Sequence, residues 1–158
     1  MDRKGSFSWE KFDAMPIVGI ARGLSKEILL EIIPVYLNAG LTTLEVTMNS
    51  EEAEDSIRAL VRQFSGQMNI GAGTVRNRDD LERALNVGAQ FIVTPNLDEY
   101  VVKECVRMGV PIFPGAYTPT EIFKAWSLGA SIVKVFPASG LGAAYFKDLQ
   151  GPMPDIRL

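Results

Sequence analysis

Residues 17–47 read IVGIARGLSKEILLEIIPVYLNAGLTTLEVT, and the way this stretch divides decides the fold. It opens on an apolar run at 17–21 and closes on a second at 43–47. Between them Ile28, Leu29, Ile32, Ile33 and Tyr36 recur at helical spacing. Two neighbouring strands that run the same way need a long crossover, and a helix supplies it. Ser25 stands where the helix N-cap belongs, and Gly40 where a left-handed C-terminal stop belongs. Pro34 falls inside the helix and is expected to kink it or shift its start.

The same unit repeats along the chain. Further strand-like runs lie at 68–72, 91–94, 111–114, 131–136 and 155–158, and their starts are 20 to 26 residues apart, the length of a strand, a loop and a helix. Helical spacing returns at Ile57, Leu60, Val61 and Phe64, and again at Leu81, Ala84 and Leu85. Ser50 is expected to cap one helix. Thr118-Pro119-Thr120-Glu121 reads as a capping box with Pro at the first helical position, and Gly66, Gly88, Gly109 and Gly129 read as further helix stops. Phe7, Trp9 and Phe12 suggest an extra short helix plugging the bottom of a barrel or sheet. No linker divides residues 1–158, so a single domain is expected.

Parallel βα units build either an open doubly wound sheet or a closed barrel. No G-x-G-x-x-G turn follows the first strand, and polar residues occur in several strands rather than at one crevice, which favours the barrel. An α/β fold of the TIM (β/α)8 type is therefore expected. A complete barrel takes about 200 residues or more. This chain, at 158 residues, should stop after about six and a half units, with 156–158 as a strand cut in its middle.

Composition narrows the chemistry. With 47% hydrophobic residues the chain can bury a core. Its 16 basic against 19 acidic residues, scattered along the chain, give no footprint for nucleic acid. Charged residues from Asp2 to Asp13 argue against a secretory leader, and no apolar run is long enough for a membrane span. A single cysteine, Cys105, forms no internal disulfide and fits the cytoplasm. The absence of histidine removes the Ser-His and Cys-His nucleophile pairs and the imidazole ligands of most catalytic metal sites. No metal or cofactor is expected, and catalysis must run on Lys, carboxylate, Tyr, Cys or backbone groups.

Strand parity then points at two residues. In Ser131-Ile132-Val133-Lys134-Val135-Phe136 the apolar pair Val133 and Val135 should meet the helices, which turns Ile132, Lys134 and Phe136 into the lumen. In Thr43-Leu44-Glu45-Val46-Thr47, Leu44 and Val46 should face outward, sending Thr43, Glu45 and Thr47 inward. Ionisable groups in buried strands are costly unless paired or working. An amine among apolar neighbours can attack a carbonyl to form an imine, an electron sink, and a nearby carboxylate can shuttle the protons. A structural Lys134–Glu45 ion pair is the alternative. Gly71-Ala72-Gly73-Thr74 could hold a carboxylate or phosphate through backbone N–H groups and the Thr74 hydroxyl, or be only a tight turn. Arg22, at the end of the first strand, could clamp an anion or decorate a loop. Thr94-Pro95-Asn96 and Pro114-Gly115 read as turn chemistry, Cys105 as inert packing, and Tyr117 as either an acid or surface.

Taken together, Leu44-Glu45-Val46-Thr47, Gly71-Ala72-Gly73-Thr74-Val75, Thr94-Pro95-Asn96, Pro114-Gly115-Ala116-Tyr117-Thr118-Pro119-Thr120-Glu121 and Val133-Lys134-Val135-Phe136-Pro137-Ala138 resemble, in order and spacing, the 2-keto-3-deoxy-6-phosphogluconate (KDPG) aldolase family. The resemblance covers the chain from Pro16 onward. It implies a (β/α)8 barrel, a homotrimer, and a metal-free class I aldolase that cleaves a 2-keto-3-deoxy sugar-acid phosphate or 4-hydroxy-2-oxoglutarate into pyruvate and an aldehyde. Carried over by motif, Lys134 is the Schiff-base lysine and Glu45 the general acid/base. Thr74 and the Gly73 backbone hold the pyruvate carboxylate with Arg22 beside them, Thr47 lies in the substrate site, and Pro95 and Phe136 wall the pocket. Two departures stand out: Asn49 occupies a position where many relatives carry an arginine, and the family's phosphate-binding glycines belong beyond Leu158. The competing readings are a non-catalytic barrel subunit with a structural Lys–Glu pair, and another phosphate-binding barrel enzyme such as an isomerase or metal-dependent synthase.

Overall fold

The computed structural model describes residues 6–158; residues 1–5, part of the charged opening, lie outside the described residues. Helix α1 (Trp9–Ala14) precedes strand β1 (Gly19–Ala21). Next come α2 (Lys26–Asn38), β2 (Thr43–Thr47), α3 (Ala53–Phe64), β3 (Asn69–Gly73), α4 (Arg78–Asn86), β4 (Ile92–Val93), α5 (Glu99–Arg107), β5 (Ile112–Phe113), β6 (Gly115–Ala116), α6 (Pro119–Ser127), β7 (Lys134–Val135) and α7 (Gly142–Gln150). Strands β1 to β5 form one parallel sheet in chain order, and β6 pairs parallel with β7. Pro114 separates β5 from β6, yet the wall is continuous there: Ser131 N–H donates to the Ile112 carbonyl at 3.0 Å and Lys134 N–H to the Pro114 carbonyl at 2.9 Å. Residues 155–158 form no strand, contrary to expectation, although Val133 N–H donates to the Arg157 carbonyl at 2.8 Å and so extends the wall one step further.

Two apolar layers flank this wall. On the helix side Leu44, Val46, Ile70, Ala72, Ile92 and Ile112 pack against Leu29, Ile33, Ile57 and Leu60. Val133, with Val135 beside it, joins a second helix-side cluster around Ile122 and Ala125. On the lumen side Phe7, Phe12, Phe91, Val93 and Phe113 close the bottom, with Trp9, Val18 and Ile132 against them. Ring centroids 5.3 Å (Phe7–Phe91), 5.4 Å (Phe91–Phe113) and 5.8 Å (Phe12–Phe113) apart make this an aromatic plug. Parity therefore assigns the faces correctly, and the N-terminal helix takes the expected place.

Local signals hold with three corrections. Ser25 caps α2 by accepting from Ile28 N–H, and Thr118 with Glu121 forms the capping box of α6. Pro34 does not shift the start of α2, which begins at Lys26 and runs through it to Asn38; Leu29 and Ile33, both buried, hold the helix to the sheet, and tertiary packing outweighs the lost backbone bond. Gly40, Gly88, Gly109 and Gly129 adopt the left-handed conformation of a helix stop, but Gly66 does not. Ser50 is not a cap: α3 begins after Glu52, which itself sits at φ 55°, and the Ser50 hydroxyl is engaged elsewhere.

Candidate active site

The strand walls bring Glu45 and Lys134 to one cavity of about 360 Å³, lined also by Ile20, Val93, Phe113 and Ile132. Glu45 comes from the middle of β2, whose neighbours β1 and β3 pair with it on both sides. Only 2% of the residue is exposed, and its Oε2 has no hydrogen-bond partner. Burial pushes its carboxyl above the usual carboxylate range, and the charges of Lys134 and Arg22 partly oppose that rise. Room for the carboxyl is made on the next strand. Gly73 pairs with Thr47 in register, and a Cβ at Gly73 would lie 2.5 Å from the Glu45 carboxyl carbon. Gly71, two residues earlier, makes the same kind of room for the Phe91 ring. The glycines of the Gly71–Gly73 motif thus serve close approach of lumen side chains.

Lys134 is half-buried at the start of β7, and its Nζ lies 5.1 Å from the centre of the Phe136 ring. Among the described residues no ion pair joins Lys134 to Glu45, although the lysine's charge is felt at the carboxyl. That arrangement disfavours a structural ion pair, in which contact geometry must offset the desolvation of both groups. Phe136 is 43% exposed and does not line the cavity. Pro95 is half-buried after β4. It does not line the cavity, but its backbone abuts Gly115, the residue paired with Lys134.

At the C-terminal ends of the strands a second hollow, about 640 Å³, is lined by Arg22, Ser25, Asn49, Ser50 and neighbouring residues. Arg22 donates to Thr74 Oγ1 at 3.3 Å, and Thr74 itself holds a positive φ of 56°. Thr47, buried at the end of β2, shares a 2.8 Å hydrogen bond with Ser50 Oγ. The ends of β1, β2 and β3 are therefore joined by polar side chains at the face where barrel enzymes carry their chemistry. Ser50 is the residue that sequence reasoning missed, because a serine before a helix reads as a cap. Cys105 is buried in α5, its thiol pushed up to about 12 by burial, in keeping with inert packing. Tyr117 lies exposed at the mouth of α6, its carbonyl accepting from the Tyr145 hydroxyl. Among the described residues no three His, Cys, Asp or Glu side chains cluster as a metal could use, and no helix is long and apolar enough to cross a membrane.

A family model for KDPG and KHG aldolase matches residues 9–158. The chain belongs to that family. It is 35% identical over 140 residues to the 2-dehydro-3-deoxy-6-phosphogalactonate aldolase of Escherichia coli K12, covering 89% of this chain and 68% of that protein. It is likewise 35% identical over 150 residues to the 2-dehydro-3-deoxy-phosphogluconate aldolase of Treponema pallidum, covering 92% and 71%. A solved structure described as native KDPGal superposes with a TM-score of 0.86 at 35% identity, over 90% of this chain and 69% of that one. The chain thus spans roughly two-thirds of the length of these KDPG-type aldolases, and their barrel architecture is the one described above. Members of this aldolase family are aldehyde-lyases, which gives the reaction class.

Proposed function

We propose that the chain is a class I aldolase that cleaves a 2-keto-3-deoxy-6-phospho sugar acid, or 4-hydroxy-2-oxoglutarate, to pyruvate and an aldehyde such as glyceraldehyde 3-phosphate. The observation that carries this reading is an amine and an unpartnered buried carboxyl facing one cavity without bonding to each other. In the proposed sequence the Lys134 ammonium gives up a proton, the amine adds to the C2 carbonyl, and the carbinolamine loses water to give an iminium. A base then takes the C4 hydroxyl proton, the C3–C4 bond breaks, and its electron pair passes into the iminium to form an enamine as the aldehyde leaves. Protonation at C3 and hydrolysis return pyruvate and the free amine. Glu45 is the shuttle: a carboxyl raised by burial sits closer to the operating pH and can both accept and return a proton. Arg22 and Thr74, with the Gly73 backbone, receive the keto-acid carboxylate; Thr47 supports them from β2, Phe136 flanks the amine with its ring, and Pro95 backs Gly115 on the neighbouring strand. No metal or cofactor takes part in this scheme.

Reduction with borohydride in the presence of pyruvate tests it. We expect a reduced pyruvyl adduct on Lys134, lost in Lys134→Ala. Glu45→Gln should retain trapping while aldol cleavage falls by about 10²–10⁴-fold. An adduct on another lysine, or none, overturns the assignment. The homotrimer implied by the family resemblance belongs to the same proposal. In its support, a cage designed by fusing symmetric oligomeric domains contains a 35%-identical match covering 88% of this chain, with a TM-score of 0.84. A cytoplasmic location is proposed with it, on the buried, unpaired Cys105.

A further inference from the structure

Resting on that reading, we infer that Ser50 is a positioning residue that holds Arg22 toward the carboxylate of the keto acid. The Arg22 guanidinium is exposed, no carboxylate pairs with it among the described residues, and its bond to Thr74 Oγ1 is long at 3.3 Å. Directly after Arg22 the chain turns at a point that packing does not hold: Gly23 has a left-handed φ of 66°, and the space beside it is open. The Gly23 N–H is tied down by one contact, donation to Ser50 Oγ at 2.9 Å. Ser50 is itself anchored twice to β2. Its N–H donates to the Thr47 carbonyl at 2.9 Å, and its hydroxyl shares the 2.8 Å bond with Thr47 Oγ1, on a fully buried residue. The rigid strand β2 therefore reaches through one hydroxyl to the backbone beside Arg22. The charge held this way is also the one that, with Lys134, acts on the Glu45 carboxyl. A side chain on an open turn pays rotamer and backbone entropy to bind an anion, and fixing the turn removes part of that cost.

The test compares trapping of pyruvate with trapping of pyruvamide, its uncharged amide, in the full chain. In Ser50→Ala the pyruvate concentration giving half-maximal adduct should rise about tenfold, the loss of one hydrogen bond's worth of ordering, while the limiting trapping rate stays unchanged. Pyruvamide, which offers no charge to Arg22, should be trapped equally by both proteins. Ser50→Thr keeps the hydroxyl and should restore the parent's half-saturation. Equal losses for pyruvate and pyruvamide would mean that Ser50 is merely structural, and no change for either would mean that the latch does not act on Arg22; both overturn the inference. Failure of the parent protein to form any adduct would instead overturn the aldolase scheme, and Ser50's role with it.

Discussion

Glu45 shows how one residue ties the site to the stability of the fold. Its folded-state carboxyl is raised, with burial as the dominant cause. A raised acid is penalised in its ionised form, so the contribution of this one group to stability is fullest below its unfolded-state pKa and is lost as pH climbs through the folded value. Glu45→Gln keeps the shape and removes the titration. The variant should therefore gain on the parent in urea-unfolding midpoint as pH rises above about 4.3, the ordinary glutamate value, and the two should converge at the acid end, where the parent's carboxyl is neutral. The reverse trend would show that the charges of Lys134 and Arg22 outweigh burial. Parity alone made this residue legible: a glutamate between Leu44 and Val46 in a strand must face away from them. Ser50 was not legible, because the partners of its hydroxyl, Thr47 three residues back and Gly23 on another loop, are set by how two loops meet.

At the scale of elements, β2 and β3 are matched through a missing side chain. Their register sets Thr47 opposite Gly73 and Glu45 opposite Gly71. The backbone of Gly73 has an ordinary φ, so alanine there is conformationally allowed and only the contact with the Glu45 carboxyl opposes it. Gly73→Ala should cost about 1–3 kcal/mol in chemical denaturation, as overpacking does. Most of that cost should vanish in the Gly73→Ala/Glu45→Ala double variant, because the two side chains share one space. Additive losses would mean that the strand, not the carboxyl, resists the methyl group. Elsewhere an element's own residues suffice: Thr118 and Glu121 cap α6 with groups three residues apart, which is why that motif was readable in advance. The short strand cores tell the opposite story. An apolar run at 131–136 yields only Lys134–Val135 as paired strand, since pairing depends on where neighbouring backbones arrive.

Across the whole molecule the lumen is divided by chemistry, with aromatic rings below and polar groups at the strand ends above. Phe91 is fully buried and touches Phe7 and Phe113, so it links the N-terminal segment to the wall. Phe91→Ala should destabilise the fold by about 3–5 kcal/mol, read from the unfolding midpoint and slope; a loss below about 1 kcal/mol would mean that the plug is loosely packed. α1 is held from below as well, by reciprocal bonds between the Ser8 backbone and the Asn69 side chain and by donation from Thr42 Oγ1 to the Lys11 carbonyl. By itself, the sequence determined the alternation of strand and helix, the faces of the strands and the inward direction of Glu45 and Lys134, because periodicity and parity are properties of consecutive residues. Only the tertiary structure decided that Lys134 and Glu45 share a cavity without pairing, that Gly73 is space for a carboxyl, and that Ser50 serves a loop rather than a helix. Those facts are distances between residues far apart in the chain, and they exist only once the strands have paired side by side.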